Sequence, residues 1–219
     1  RLNFLRLILF DLLYGYPVAL KHLIKSFGIK QTIIIISKLR YRLLFANPFK
    51  PINKVVRPTT DEKLSQKQML PAVLLYKILI EQDHSPQSAH DFVAHLVHTL
   101  AFSFLKFTIP IISRKHVENL PLPNQLKILT SITKRFFNAQ GKAEMNSKDR
   151  FSFTVSKCSF AQYSVDLGVP ELAPIFCASD KAYFDACQTD ITLERTTTLA
   201  EDNKPCDFVF HWNESSTHE

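Results

Sequence analysis

The sequence predicts an α+β fold in which a helical N-terminal part is followed by a small antiparallel sheet with packed helices. From residue 1 to about residue 138, apolar residues recur mostly three or four positions apart, which is the spacing of helices. From Phe151 onward, runs of alternating apolar and polar residues flank two helical segments. The 18 Phe among 219 residues supply enough apolar surface for a sizeable core.

Charge divides the chain into three segments. Residues 1–57 carry a net charge of +10, residues 58–150 carry +4 and residues 151–219 carry −7. We therefore predict a basic amphipathic helical head, a helical platform and an α/β core that contains all four cysteines and ends in a short tail. No recognised nucleic-acid-binding motif accompanies the basic charge, so no nucleic-acid partner is predicted. The chain begins at Arg1 rather than Met, as a fragment would.

The head, residues 1–57, is predicted to be mainly helical. The apolar residues from Phe4 to Leu12 form one helical stripe, Pro17 can start a second helix and Gly28 can end it. The run Thr32–Ile36 fits a strand or a helix, and its basic flanks favour a helix. The head is expected to pack on its own domain, with peripheral contact to an anionic membrane surface as the alternative.

The head is not expected to span a membrane. Arg6, Asp11 and Lys21 interrupt its first apolar run, which leaves no window of roughly 18 to 20 uncharged residues. No signal peptide is evident, so a cytoplasmic location is predicted. Four cysteines at irregular spacing in such a chain are expected to be free thiols.

The platform is predicted to consist of helices joined by breaks. Residues 47–60 contain three prolines and are interpreted as a linker or extended strap. Ser88, with Asp91 three residues later, is predicted as a helix N-cap. Residues 138–150 are polar and predicted to be a loop. Helices are predicted from about Pro71 to Gln82, from Ser88 toward Pro110 and from Asn124 to Asn138.

The core, residues 151–219, is predicted to combine strands and helices. Its first strand begins at Phe151, and the helix after it ends at Gly168. Pro170 opens a second helix. Two strands, which begin at Ile191 and Cys206, are expected to form a hairpin.

Cys177 and Asp180 are the first candidates for chemistry. They lie three residues apart on a predicted helix and therefore share a face. A thiol beside a carboxylate can act as a nucleophile with its proton acceptor. The alternative is a buried structural thiol beside a solvated or capping acid.

Arg195 is the second candidate, because strand parity places it on the same face as Ile191 and Leu193. A guanidinium on the apolar face of a strand needs an anionic partner. That partner is either a ligand carboxylate or an internal acid such as Asp180 or Glu171.

The sequence supports a metal site less well than it supports the candidates Cys177, Asp180 and Arg195. The cysteines are separated by 18, 9 and 18 residues, without the short C-x-x-C spacing of zinc knuckles. Asp91, His95 and His98 share one helix face, where a polar stripe is the simpler interpretation. No metal ligand is assigned, and a divalent metal is kept as an open alternative.

A series of short motifs follows in order along the core: Lys157-Cys158, Leu167-Gly168 with Pro170-Glu171-Leu172, Cys177-x-x-Asp180, Arg195-Thr-Thr-Thr-Leu-Ala200 and Cys206-Asp207-Phe208. In their order and spacing, these motifs resemble the L-2-amino-thiazoline-4-carboxylic acid hydrolase family over residues 150–212. The departure is Asp202-Asn203, where the family has glycine; Asn tolerates the left-handed backbone of such a turn.

This resemblance implies a hydrolase that opens a cyclic amidine, a small-molecule ring like 2-aminothiazoline-4-carboxylate, to a carbamoyl-cysteine. Cys177 is then the candidate nucleophile, Asp180 the acid/base group and Arg195 the anchor for the substrate carboxylate. Cys158 and Cys206 are further substrate-binding candidates, and Cys187 is a bystander. A metal-bound water is the alternative nucleophile.

The closing strand, turn and Cys-x-Phe pattern also resembles 4-vinyl reductase-type domains. That resemblance implies a non-catalytic small-ligand-sensing or scaffold domain. Geometry distinguishes the two hypotheses. An enzyme needs Cys177, Asp180 and Arg195 at a common cavity, whereas a scaffold would neutralise Arg195 internally and have no cavity.

Overall fold

The computed structural model describes residues 2–147 and 149–213. Its four strands form one antiparallel sheet in the order β1-β2-β4-β3, which confirms the predicted α+β class. The strands are β1 (Ala139–Met145), β2 (Arg150–Cys158), β3 (Ile191–Glu194) and β4 (Cys206–Trp212). The helices are α1 (Leu2–Phe10), α2 (Tyr16–Phe45), α3 (Phe49–Val55), α4 (Thr60–Ile80), α5 (Pro86–Thr108), α6 (Arg114–Val117), α7 (Leu122–Thr133), α8 (Ser159–Asp166) and α9 (Ala173–Cys187).

The N-terminal helices follow one another almost without interruption and contain one kink. A π-helical turn (Asp11–Gly15) joins α1 to α2. Gly28 is non-helical, with φ +73°, and separates the two helical segments that together make up α2, which confirms the predicted helix end at this residue. Glycine adopts this backbone conformation without the steric cost that a Cβ imposes. Thr32–Ile36 lies within α2, as its basic flanks predicted.

Helices α4 and α5 begin at other residues than predicted, because their N-capping residues determine where they start. Residues 47–60 are not an extended strap, since α3 occupies their centre. Helix α4 begins eleven residues before Pro71, at a capping box in which Thr59 and Glu62 bond each other's backbone N–H. Helix α5 is capped by Ser85, not Ser88, and Pro86 occupies its first position.

Strand β1 was missed by the sequence analysis, which predicted a polar loop over residues 138–150. The strand has little apolar alternation, and its pairing with β2 defines it. Gly141 lies at a bulge in this pair, where an added Cβ would come within 2.1 Å of the Thr154 carbonyl oxygen. Only glycine allows the two backbones to approach this closely.

Two large apolar cores share helix α5, which also contributes Phe104 to a smaller cluster with α1. One lies between α2, α4, α5 and α8. The other lies between α5, α7, α9 and one face of the sheet, to which Phe151, Phe153, Phe208 and Phe210 contribute. The three segments distinguished by charge therefore pack together, and the sheet meets the helical part along α5 and α9.

The helical stretch Phe4–Val55 has the length and composition of a membrane-crossing helix. Its most apolar window has a mean hydropathy of 1.4, and 22% of that window is buried in the structure. Core helices of globular proteins can meet the same criteria. The expectation that the head does not cross a membrane stays a prediction, as does peripheral contact with an anionic membrane surface.

Candidate active site

Four of the five predicted site residues line one large cavity. The cavity has a volume of about 550 Å³, and its lining includes Cys158, Cys177, Asp180 and Cys206. Cys158 ends β2, Cys206 begins β4, and the other two lie on α9. The antiparallel pairing of β2 with β4 brings the two strand ends together, and α9 packs across them.

The rest of the cavity wall is mainly aliphatic and aromatic. It is formed by α1, α2, α4, α5 and the inner face of the sheet. Polar groups are few in such a wall, so those present set the chemistry that the cavity can perform. Cys187, interpreted as a bystander, does not line it.

Asp180 is a buried carboxyl whose pKa is raised to about 7. Burial is the largest cause, and the neighbouring Arg195 guanidinium partly opposes it. The side chain is 15% exposed. A carboxyl that titrates near neutral pH can both accept and donate a proton during a reaction, which is the property of a general acid/base.

Arg195 follows directly after β3 and is held internally. Its Nη1 donates to Asp180 Oδ2 at 3.3 Å, and both Nη atoms donate to the Cys177 carbonyl oxygen at 3.3 Å. Its guanidinium also lies 5.3 Å from the centre of the Phe208 ring. Arg195 does not line the cavity itself. The internal ion pair with Asp180 is thus present, and a contact between Arg195 and a substrate carboxylate stays a prediction.

The Cys177 thiol is half-buried and protonated at neutral pH. Burial, followed by the nearby Asp180 carboxyl, raises its pKa above the usual range. Its Sγ lies 3.9 Å from the Ala173 carbonyl oxygen, one helical turn back. A thiol in this state resembles a serine hydroxyl, because it attacks only if a base takes its proton during the attack.

The other two cavity thiols each accept a hydrogen bond. Asn138 Nδ2 donates to Cys158 Sγ at 3.6 Å, and the Leu199 N–H donates to Cys206 Sγ at 3.3 Å. Burial raises the pKa of Cys206. All four cysteines of the chain are free.

A family model described as L-2-amino-thiazoline-4-carboxylic acid hydrolase matches residues 63–210, which is more than half of the chain. The chain belongs to this family. The match begins in α4, so it extends well beyond the resemblance seen over residues 150–212. Comparisons with curated proteins and with solved structures found no match. Membership in a hydrolase family does not favour the non-catalytic 4-vinyl reductase-type alternative.

In this hydrolase-family chain, the Arg195-to-Ala200 motif forms a loop around Asp207. The Asp207 carboxylate accepts hydrogen bonds from the backbone N–H and hydroxyl groups of Thr196 and Thr197. Burial would raise its pKa, but these hydrogen bonds together lower it to about 2. Asn203 has φ +53°, which confirms the predicted left-handed turn before Cys206. The loop after β3, and with it Arg195, is therefore held by Asp207.

Replacing Asp207 by Asn should lower the free energy of unfolding by about 1.5 to 3 kcal/mol at neutral pH, since hydrogen bonds to a charged group are lost. The folded pKa of Asp207 lies below its unfolded value of about 3.9. The stabilisation is therefore fully present above about pH 4 and is lost as the pH falls toward about 2. Urea unfolding at several pH values measures this difference. Asp185→Asn removes an exposed pair with Lys181 and should change stability little; an equal effect of both variants would contradict the prediction.

Sequence reasoning missed several polar residues of the cavity wall, among them Lys63, Lys67, Arg135 and Asn138. Arg135 and Asn138 lie between α7 and β1, in a segment predicted as the end of a helix. The pair Lys134-Arg135 directly before two Phe residues was the available signal. This signal does not show whether Lys134 or Arg135 faces the cavity.

The two candidate metal sites are not assembled in the described part of the chain. Within residues 2–147 and 149–213, no group of three or more His, Cys, Asp or Glu is placed to hold a metal ion. His98 instead lies 3.1 Å from the Ser179 hydroxyl, and His95 packs beside His22. Asp91 accepts a hydrogen bond from the Gln87 amide.

Proposed function

We propose that this protein hydrolyses a cyclic amidine, opening a ring like that of 2-aminothiazoline-4-carboxylate to a carbamoyl-cysteine. One observation supports this most. Asp180, with a pKa of about 7, lines a large cavity together with Cys177, which lies one helical turn away. A nucleophile, an acid/base group and a space for the substrate therefore meet in a member of a hydrolase family.

In the proposed reaction, Cys177 Sγ attacks the amidine carbon of the ring while its proton passes to Asp180. The bond from that carbon to the ring sulfur breaks, and the sulfur takes the proton from Asp180. A water then attacks the same carbon, giving one proton to Asp180 and the other to the former ring nitrogen as the carbonyl group forms. The bond from the carbon to Cys177 Sγ breaks, and the thiolate takes the proton back from Asp180, so the reaction consumes one water and releases a carbamoyl-cysteine. A carboxyl with a pKa near 7 suits this alternation between base and acid.

Arg195 acts as a positioning residue in this proposal. It fixes the Asp180 carboxyl through one hydrogen bond and the backbone of Cys177 through two. Its positive charge also favours the ionised form of Asp180. These three hydrogen bonds leave two of the five N–H donors of Arg195 without a partner among the described residues. The predicted contact with a substrate carboxylate is therefore compatible with the positioning role.

Arg195→Lys should separate the two roles of Arg195. Lysine keeps the charge but loses the planar fork, so Asp180 should be less well fixed and its pKa should rise. For a positioning role, kcat/KM should titrate at higher pH than in the wild type, with little change in KM. A raised KM with an unchanged pH profile would instead assign Arg195 to the substrate carboxylate. Arg195→Ala is a less useful variant, because an unpaired buried partner costs about 3 to 5 kcal/mol of stability.

Turnover of 2-aminothiazoline-4-carboxylate by the full chain tests the proposed function directly. Chromatography with mass detection should show carbamoyl-cysteine formed with wild type, and formed at least about 10²-fold more slowly with Asp180→Asn. Formation should persist with a chelator if Cys177 is the nucleophile; its loss would assign the attack to metal-bound water. Absence of product with wild type would contradict the proposed substrate.

A further inference from the structure

The cavity is larger and more apolar than a bare aminothiazoline ring requires. Its volume of about 550 Å³ lies within the range of about 300 to 1,000 Å³ that is typical of pockets for drug-sized ligands. Most of the wall is apolar, including Leu23, Leu70 and Leu96 from three different helices. Such a wall favours a ligand with a large apolar part, because the hydrophobic effect scales with the apolar area removed from water.

The cavity lining carries three cations, Arg135, Lys63 and Lys67, and Lys67 lies 3.9 Å from the Asp11 carboxylate, which also lines the cavity. The Nη1 atom of Arg135 donates to the Thr108 carbonyl oxygen at the C-terminus of α5. Burial and the nearby Arg6 lower the pKa of Arg135. Within residues 2–147 and 149–213, neither arginine forms a salt bridge. Two neighbouring guanidinium groups without carboxylate partners favour an anion between or beside them.

A purely structural role does not use the whole Arg135 side chain. The bond to Thr108 occupies one of its five N–H donors and resembles the capping of a helix C-terminus by a cation. Arg135 is half-buried and lines the cavity, so its remaining donors are available to a ligand anion. Arg195, by contrast, already has Asp180 as its anionic partner.

We propose that the cavity binds an amphiphilic anion, whose apolar chain lies along the wall formed by α2, α4 and α5 and whose anionic group pairs with Arg135. This inference rests on the proposed function, because it makes the substrate a cyclic amidine that carries an apolar chain. Cys177 and Asp180 line the same cavity, so one ligand can reach both Arg135 and the reactive groups.

Calorimetric titration of the full chain with dodecanoate, dodecanol and acetate, below micellar concentrations, tests the site without requiring turnover. Dodecanoate should bind at least about tenfold more tightly than dodecanol, and acetate should not bind measurably. Arg135→Met should remove the preference for the anion. Lys134→Met, the exposed neighbouring cation, should retain it.

Equal affinity for dodecanoate and dodecanol, or an unchanged preference in Arg135→Met, would overturn the inference. Turnover of the bare ring without dodecanoate binding would overturn the amphiphile site while leaving the proposed function intact. Dodecanoate binding with the expected Arg135 dependence, but without turnover of bare or alkyl-substituted rings, would support the site and count against the hydrolysis.

The N-terminal helices carry an exposed apolar face that the cavity does not explain. Of 21 large hydrophobic side chains exposed in the described structure, 17 lie between residues 4 and 56. Leu9, Leu13, Tyr16, Leu20 and Ile24 follow one another at intervals of three or four residues, so they form a stripe along one side of the helix. Leu23 and Ile35, also on α2, are buried and pack into the core.

Basic residues accompany this apolar face. No acidic residue occurs between positions 12 and 60. Asp11, the one acid before them, lies 3.9 Å from Lys67. Exposed basic side chains occur at Lys21, Lys25, Lys30, Lys38, Arg40, Lys50, Lys54 and Arg57. Exposed apolar residues combined with basic ones on a helix are typical of segments that lie in the interface of an anionic membrane.

We infer that this helical face lies on the surface of an anionic bilayer. A crossing orientation would separate Leu23 and Ile35 from the core that they share with α4. A second copy is a poorer partner, since two faces of the same positive charge repel. Tyr16 is exposed on this face and also lines the cavity, so an amphiphile could pass from the bilayer toward the reactive groups.

Co-sedimentation with phosphatidylcholine vesicles, with and without phosphatidylglycerol, tests this surface. Binding should require the anionic lipid and weaken at high salt. Leu20→Asp combined with Ile24→Asp should reduce binding at least about tenfold, because burial of two large side chains is lost. Val165→Asp, an exposed apolar site on α8, is the matched control and should bind like wild type. Salt-insensitive binding to neutral vesicles, or dimerisation without vesicle binding, would overturn the inference.

Discussion

Replacing Asp180 by Asn should lower kcat/KM for ring opening by about 10²- to 10⁴-fold, which is the usual contribution of a general acid or base. An amide of the same shape can neither accept the proton of Cys177 nor return it to the departing sulfur. In wild type, kcat/KM should rise as the pH increases through about 7, because Asp180 must be ionised to act as the base. That rise should disappear in the variant. Steady-state kinetics over the pH range measures both effects.

Asp185→Asn provides a matched control on the same helix. Asp185 is exposed and pairs with Lys181 at 2.7 Å, and it does not line the cavity. Its removal should leave kcat/KM and the pH profile unchanged. If Asp180→Asn retained more than about a tenth of the wild-type rate, Asp180 would not be the acid/base group.

Cys177→Ala should abolish turnover and leave the fold intact, because the nucleophile is removed and a small side chain replaces a half-buried thiol. Mass spectrometry of wild-type enzyme quenched during turnover should detect an amidine adduct on Cys177. Without substrate, Cys177 should react slowly with iodoacetamide at pH 7, since its raised pKa leaves little thiolate.

Cys187→Ala is the control for this experiment, because Cys187 ends the same helix without lining the cavity. It should retain wild-type kinetics. Undiminished turnover by Cys177→Ala would remove the thiol from the mechanism. Asp180 would then act on a water in place of the thiol.

Several features of the fold follow from local signals in the sequence. Alternation predicted strands β2 and β4, and the backbone freedom of glycine predicted the end of α8 near Gly168. The start of α4 was predicted too late, because the Thr59–Glu62 capping box that begins this helix was overlooked. The two residues that form the capping box are visible in the sequence. Strand β1 is different, because its short polar sequence becomes a strand through its pairing with β2.

The sequence by itself determined the α+β class and a set of site candidates, of which Cys158, Cys177, Asp180 and Cys206 line one cavity. These properties depend on periodicity and on residue types at short spacing, which act locally. The tertiary structure alone decided that Arg195 pairs with Asp180 and that Arg135 lies in the cavity wall. The raised pKa of Asp180 was also beyond sequence reasoning. Burial and the distance between charges set such properties, and both arise only when segments far apart in the chain pack together.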